Sequence, residues 1–114
     1  MANYDWDEAG ALKRINGNAT LLKKLLTIYR ESSEQLLSEI DAARLVKDHI
    51  KLVNAAHALK GVAGNLSAAV VAENAREVEV LASNPEWAVL DEAISQLKTS
   101  SHRLLKLFAE YVEG

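Results

Sequence analysis

Residues 19–46 read ATLLKKLLTIYRESSEQLLSEIDAARLV, and this stretch decides the fold. Its apolar side chains recur mainly at spacings of three and four, at Leu22, Leu25, Leu26, Tyr29, Leu36, Ile40 and Ala43. Such spacing puts them on one face of an α-helix and the charged residues on the other. The stretch therefore predicts a long amphipathic helix whose apolar face is covered by other helices.

Capping and turn residues divide the rest of the chain into further helices. Residues that can accept a hydrogen bond from the first turn of a helix stand before each segment. The expected caps are Asp5 or Asp7, Asn18, Asp48, Ser67 and Asn84. The first helix is short and ends near Ile15, and the third spans residues 49–65. Pro85 suits the first position of the last helix, because its missing N–H is not needed there.

No segment alternates apolar and polar residues with period two, so strands are not expected. Four long helices with short connections must run antiparallel to their neighbours. We predict an all-α fold, an antiparallel four-helix bundle with a short additional N-terminal helix packed against one end. A length of 114 residues without linkers or repeats predicts a single domain over residues 1–114.

The composition excludes several classes of protein. A net charge of −3 provides no basic surface for nucleic acid, and the absence of cysteine excludes a disulfide framework. No apolar run approaches the roughly 18 residues of a membrane span, and the start of the chain lacks the features of a signal peptide. We expect a cytoplasmic domain that makes no contact of its own with membrane or nucleic acid. We expect it to be a monomer, because four helices already complete a bundle.

A second stretch, residues 55–66 (AAHALKGVAGNL), carries the chemistry. Its apolar residues form one helical stripe, and His57 points roughly 160° away from the centre of that stripe. Gly61 and Gly64 lie on the same side as His57, and Ile50 and Val53 extend that side toward the start of the helix. Lys60 lies on the flank, within side-chain reach of His57.

The two glycines and the exposed apolar residues need an explanation. Each glycine in a helix interior costs about 1 kcal/mol relative to alanine. A surface that another protein approaches closely accounts for both features, and Gly61, Gly64, Val53 and Ile50 are its candidate contacts. The alternative is that Gly64 marks a fraying helix end and that His57 is an ordinary surface histidine.

A solvent-facing imidazole is a nucleophile near neutral pH and can attack phosphorus. Lys60 can then neutralise part of the charge that a phosphoryl group adds. The chain has neither of the glycine-rich loops that cradle nucleotide phosphates, so an autonomous kinase is not expected. These residues predict a domain that accepts a phosphoryl group without taking it from ATP.

The run HALKGVAGNLSA, residues 57–68, resembles the active-site signature of histidine-containing phosphotransfer (Hpt) domains of two-component phosphorelays, roughly HxLKGxAxxxGA. Residues 5–18, the apolar pattern from Leu22 to Tyr29 and the pair Val78-Glu79 also resemble parts of that family. One position departs from the pattern, because Ser67 stands where the family usually has glycine. Serine caps helices well, so we expect only a modest change in the turn.

The resemblance implies a phosphoryl carrier without an ATP site of its own. His57 would be the phosphorylated residue, Lys60 would stabilise the phosphate, and Gly61 would leave room for the partner. The partner would be the receiver domain of a response regulator or hybrid kinase. That receiver would bring Mg²⁺, and this domain would bind no cofactor. The abrupt ends of the chain are interpreted as those of a piece of a hybrid sensor kinase, whose membrane anchor would lie elsewhere.

Other candidate residues have weaker roles. Gln35, on the second helix, can lie beside His57 and orient its ring, although a solvated polar face is the alternative. His49 and His102 lack the following Lys-Gly pair and are interpreted as surface residues. No histidine has a carboxylate at Glu-x-x-His spacing, so no metal site is expected. A helical adaptor that binds its partner without phosphorylation is the alternative function.

Overall fold

The computed structural model describes residues 4–114, and over these residues the chain forms five helices and no strand. They are α1 (Glu8–Arg14), α2 (Ala19–Leu45), α3 (His49–Asn65), α4 (Ala69–Ser83) and α5 (Trp87–Glu113). α2 packs against α3, α3 against α4, and α4 against α5. α5 also packs against α2. This arrangement confirms the predicted antiparallel four-helix bundle with a short additional N-terminal helix.

Three of the predicted helix caps are confirmed. The side chains of Asp7, Asn18 and Asp48 each accept a hydrogen bond from the backbone N–H three residues later, in the first turns of α1, α2 and α3. Asp5, the alternative cap of α1, instead pairs with Arg103 of α5. This ion pair ties residue 5 to the last helix.

The prediction that Ser67 caps α4 is wrong, because Ser67 belongs to the turn that ends α3. Its φ of +61° lies in the left-handed region. The N–H of Ser67 donates to the carbonyl of Gly64 and that of Ala68 to the carbonyl of Ala63, each at 3.0 Å. This is the hydrogen-bond pattern by which a left-handed residue terminates a helix. Ala68 precedes α4 without any side-chain cap.

The predicted start of α5 is also wrong. Asn84 ends α4 in an extended conformation, with φ −145° and ψ 77°. A proline disfavours helical geometry in the residue before it, so Pro85 keeps Asn84 out of the helix. Residue 86 is the N-cap, and α5 begins at Trp87, two residues after the predicted position.

Small side chains bring α3 and α4 close together. Ala56 and Ala63 on α3 and Ala75 and Ala82 on α4 are fully buried, and the two alanines of each helix, seven residues apart, share one face. Helix axes approach more closely where the contacting side chains are small, and these two helices share the most extensive contact in the bundle. In residues 4–114, no helix has the length and apolar character that crossing a membrane would require.

Candidate functional site

His57 lies in the middle of α3 on the face turned away from the core. Its side chain is 66% exposed. Leu59 and Ala63, on the opposite face of the same helix, are fully buried and hold α3 in position against the bundle. The predicted orientation of His57 is therefore confirmed, and its ring is open to a reactant from solution.

A carboxylate from α4 joins His57 to Lys60. Glu79 Oε2 lies 2.6 Å from His57 Nδ1, and Glu79 Oε1 accepts a hydrogen bond from Lys60 Nζ at 2.8 Å. The Glu79 side chain is only 19% exposed. Its contact with Lys60 is partly buried, whereas its contact with His57 is exposed. We call His57, Lys60 and Glu79 the histidine cluster.

The histidine cluster fixes which ring nitrogen can react. The hydrogen bond from Lys60, and then that from His57, holds the pKa of Glu79 below its ordinary value of 4.5. Glu79 is therefore ionised at neutral pH and can only accept hydrogen bonds. Nδ1 of His57 must carry the hydrogen of that bond. The lone pair of the neutral ring is then on Nε2, the nitrogen that Glu79 does not contact.

Sequence reasoning missed Glu79 as a site residue. In the sequence, Glu79 stands out only within the pair Val78-Glu79, which resembles part of the Hpt family. Residues at similar distances on either side of the joint between two antiparallel helices face each other. His57 lies ten residues before Ser67 and Glu79 twelve residues after it. That symmetry is the signal in the sequence that could have paired them.

Within residues 4–114, no packing contact explains the two glycines. A methyl group on either Gly61 or Gly64 would meet no heavy atom of the neighbouring elements within 4 Å. Ile50 is 63% exposed on the same helix, as a docking surface requires. Val53 differs from expectation, because it is half-buried and packs against the core, which leaves less of it for a partner.

The segment before α2 secures the C-terminal end of α3. Arg14 donates to the carbonyls of Gly64 and Asn65 at 3.1 and 3.3 Å. The Trp6 indole N–H donates to the carbonyl of Leu66 at 2.9 Å. The last carbonyls of a helix have no partner within it, so these donors stabilise the end of α3. The interpretation of Gly64 as a fraying end is wrong.

Gln35, the candidate for orienting the ring, does not take that role and lies on an exposed face, as the alternative interpretation has it. Its amide donates to Glu39 on its own helix at 3.4 Å, and Nδ1 of His57 is paired with Glu79. His49 and His102 are exposed, as expected of surface residues. Across the described part of the chain, no group of three or more His, Asp or Glu side chains is placed to hold a metal ion.

The family model of the Hpt domain matches residues 24–107. The chain belongs to the Hpt domain family. Comparison with curated proteins found no match, and neither did comparison with solved structures. Hpt domains transfer phosphoryl groups through a histidine in two-component phosphorelays and interact with receiver domains. The matched range contains the whole histidine cluster, whereas Arg14 and Trp6 lie before it.

Proposed function

We propose that His57 is the phosphorylated residue of this Hpt domain. It accepts a phosphoryl group from an aspartate of one receiver domain and passes it to a response regulator, or returns it. The observation that carries this proposal is the contact of Glu79 with Nδ1, which leaves Nε2 on an exposed ring as the available nucleophile. Family membership supports the same reaction.

The transfer needs only groups that the two partners supply. The Nε2 lone pair of His57 attacks the phosphorus of an aspartyl phosphate, so that a P–N bond forms. The P–O bond to the aspartate breaks, and the carboxylate leaves with the electron pair. The proton on Nδ1 stays in place, and the positive charge on the phosphorylated ring is balanced by Glu79. The reverse steps return the phosphoryl group.

Each remaining residue of the site has a distinct role in this proposal. Lys60 places an ammonium beside the ring, where it stabilises the charge of the phosphoryl oxygens. Gly61 and Gly64 have no side chain that projects from α3, so the receiver can bring its aspartate close to Nε2. Ile50 offers an apolar contact. Catalysis of phosphoryl transfer is mostly positioning and charge stabilisation. Mg²⁺, which we place in the acidic pocket of the receiver, supplies further charge neutralisation there.

The test is transfer from a panel of purified receiver domains, each labelled from acetyl phosphate in the presence of Mg²⁺. We expect acid-labile label on the wild-type domain and none on the His57→Gln variant, with both equally helical by circular dichroism. His49→Gln and His102→Gln are matched controls, because they remove exposed histidines outside the cluster and should label normally.

Equal labelling of His57→Gln and wild type would refute His57 as the acceptor. Receiver binding without label on any variant would favour the alternative function, an adaptor that docks on the same face without phosphorylation.

A further inference from the structure

The histidine cluster has no spare positive charge for a phosphoryl group. Its one cation, the ammonium of Lys60, is already bound to the carboxylate of Glu79 at 2.8 Å. With a neutral His57 ring, the positive and negative charges of the cluster cancel. A phosphoryl group brings a charge of about −1.5 to −2 at neutral pH. Even with the positive charge of the phosphorylated ring, the cluster then carries a net charge of about −0.5 to −1. A cation beyond Lys60 can balance it.

Arg76 is the basic residue of α4, and it lies one turn before Glu79. Residues three apart on a helix have Cβ atoms about 5–6 Å from each other. α3 and α4 are antiparallel, so moving from Glu79 to Arg76 on α4 and from His57 to Gly61 on α3 leads in the same direction, toward the joint between the two helices. Arg76 and Gly61 therefore lie at a similar level. Gly61 has no side chain and open space above it, so it presents no steric block to the guanidinium.

In the unphosphorylated domain Arg76 is held by a partner that it can leave. Its guanidinium bonds to Glu73 on the same helix, with Nη2 at 2.8 Å and Nε at 3.1 Å from the carboxylate oxygens. The side chains are 54% and 63% exposed. Exposed ion pairs of this kind add little to stability. A phosphoryl group offers the same forked geometry with more charge.

The surroundings of Arg76 already couple it to the cluster. Its pKa lies above the ordinary value, first because of the hydrogen bond to Glu73 and the charge of that residue, and then because of the charges of Glu77 and Glu79. The field of Glu79 thus reaches the guanidinium. A phosphoryl group on the ring that Glu79 contacts adds negative charge to the same region.

We propose that Arg76 is a second phosphate-binding cation of this site: when His57 is phosphorylated, its guanidinium leaves Glu73 and binds the phosphoryl oxygens. This inference rests on the proposed function of His57. The event is an exchange of one ion pair for another, with no further covalent step. Glu73 competes with the phosphoryl group for Arg76, and it binds Arg76 while His57 is unphosphorylated.

The test uses the receiver domain that labels this domain fastest. It measures the distribution of label between the two proteins at equilibrium. For Arg76→Gln we expect the ratio of domain label to receiver label to fall about fivefold, the upper range for a partly exposed charge pair. Arg76→Lys should recover part of this loss. Arg103→Gln, which removes another exposed arginine ion pair, should leave the ratio unchanged.

Removing the competitor provides a test with the opposite sign. Glu73→Gln should raise the ratio, because Arg76 is then free. In an Arg76→Gln background the same change should have no effect, since a coupling between two residues disappears when either is absent. A rise of equal size in both backgrounds would mean that Glu73 acts by its own charge, and would overturn the inference.

Two further results would also overturn it. One is a wild-type ratio in Arg76→Gln with wild-type receiver binding, which would mean that Arg76 has no role at the site. The other is a wild-type ratio with weaker receiver binding, which would mean that Arg76 contacts the receiver and not the phosphoryl group. Absence of label on the wild type would instead refute the proposed function, and this inference with it.

Discussion

Replacing Ser67 by glycine should stabilise the turn that ends the helix of His57. Ser67 has a φ of +61°, and its N–H closes that turn on the carbonyl of Gly64. In the left-handed region a side chain crowds the following carbonyl, which costs about 1–2 kcal/mol for most residues. Glycine has no Cβ and adopts this conformation freely, so the substitution removes that strain.

The net gain is smaller than the strain, because glycine also has more freedom to lose on folding. That entropy term opposes the gain by roughly 0.5–1 kcal/mol. The difference leaves a stabilisation of about 0.5–1 kcal/mol in the free energy of unfolding. For a domain of this size we expect the midpoint of thermal unfolding to rise by about 2–5 °C.

Urea unfolding and thermal melts of wild type and Ser67→Gly measure this difference. Ser95→Gly is the matched control, because Ser95 is exposed within the regular part of α5. There glycine should cost about 0.5 kcal/mol relative to serine. If Ser67→Gly is no more stable than wild type, the strain at this residue does not exceed the entropy cost of glycine and the reasoning fails. A gain in the Ser95 control would show that the effect does not depend on backbone conformation.

Three further predictions concern the site itself. Lys60→Ala should slow transfer to His57 by about tenfold without stopping it, because one flanking charge contributes only part of the stabilisation; an unchanged initial rate would make Lys60 a purely structural partner of Glu79. Gly61→Leu should raise the stability of the fold by about 0.8 kcal/mol through helix propensity, yet weaken receiver binding in calorimetry; normal affinity would contradict the docking role of the glycine. Glu79→Gln tests the pH dependence of stability. The hydrogen bond from Lys60 lowers the pKa of Glu79 below 4.5 in the folded state, so the ionised carboxylate stabilises the fold above pH 4.5 and that contribution is lost as the pH falls through the folded value. The gap in unfolding free energy between wild type and Glu79→Gln should therefore close in acid, and a gap that persists at low pH would refute the assignment.

The elements that could be predicted from the chain are those whose causes are local. Apolar residues spaced by three and four mark the buried face of α2, and Asp7, Asn18 and Asp48 each bond to a backbone N–H only three residues away. Where local rules competed, the prediction was wrong. At Ser67 a left-handed turn prevailed over helix capping, and at Asn84 the following proline imposed an extended backbone.

The exposed face of α3 was also readable from the sequence. A stripe of core residues on one side of a helix determines which residues face away, and His57 and Gly61 follow from that rule. Gln35 was paired with His57 on the weaker ground that α2 and α3 are neighbours. Neighbouring helices alone do not specify which residues meet, because the register between them is set by packing across the whole interface.

The sequence by itself determined the helices, their antiparallel order and the exposure of His57, because these follow from periodicity and short connections. Only the tertiary structure decided that Glu79 joins His57 to Lys60 and that Trp6 and Arg14 hold the end of α3. Those contacts link residues 19 to 60 positions apart. They depend on how closely the alanine-lined faces of α3 and α4 approach and on where the N-terminal segment packs, and local sequence patterns specify neither.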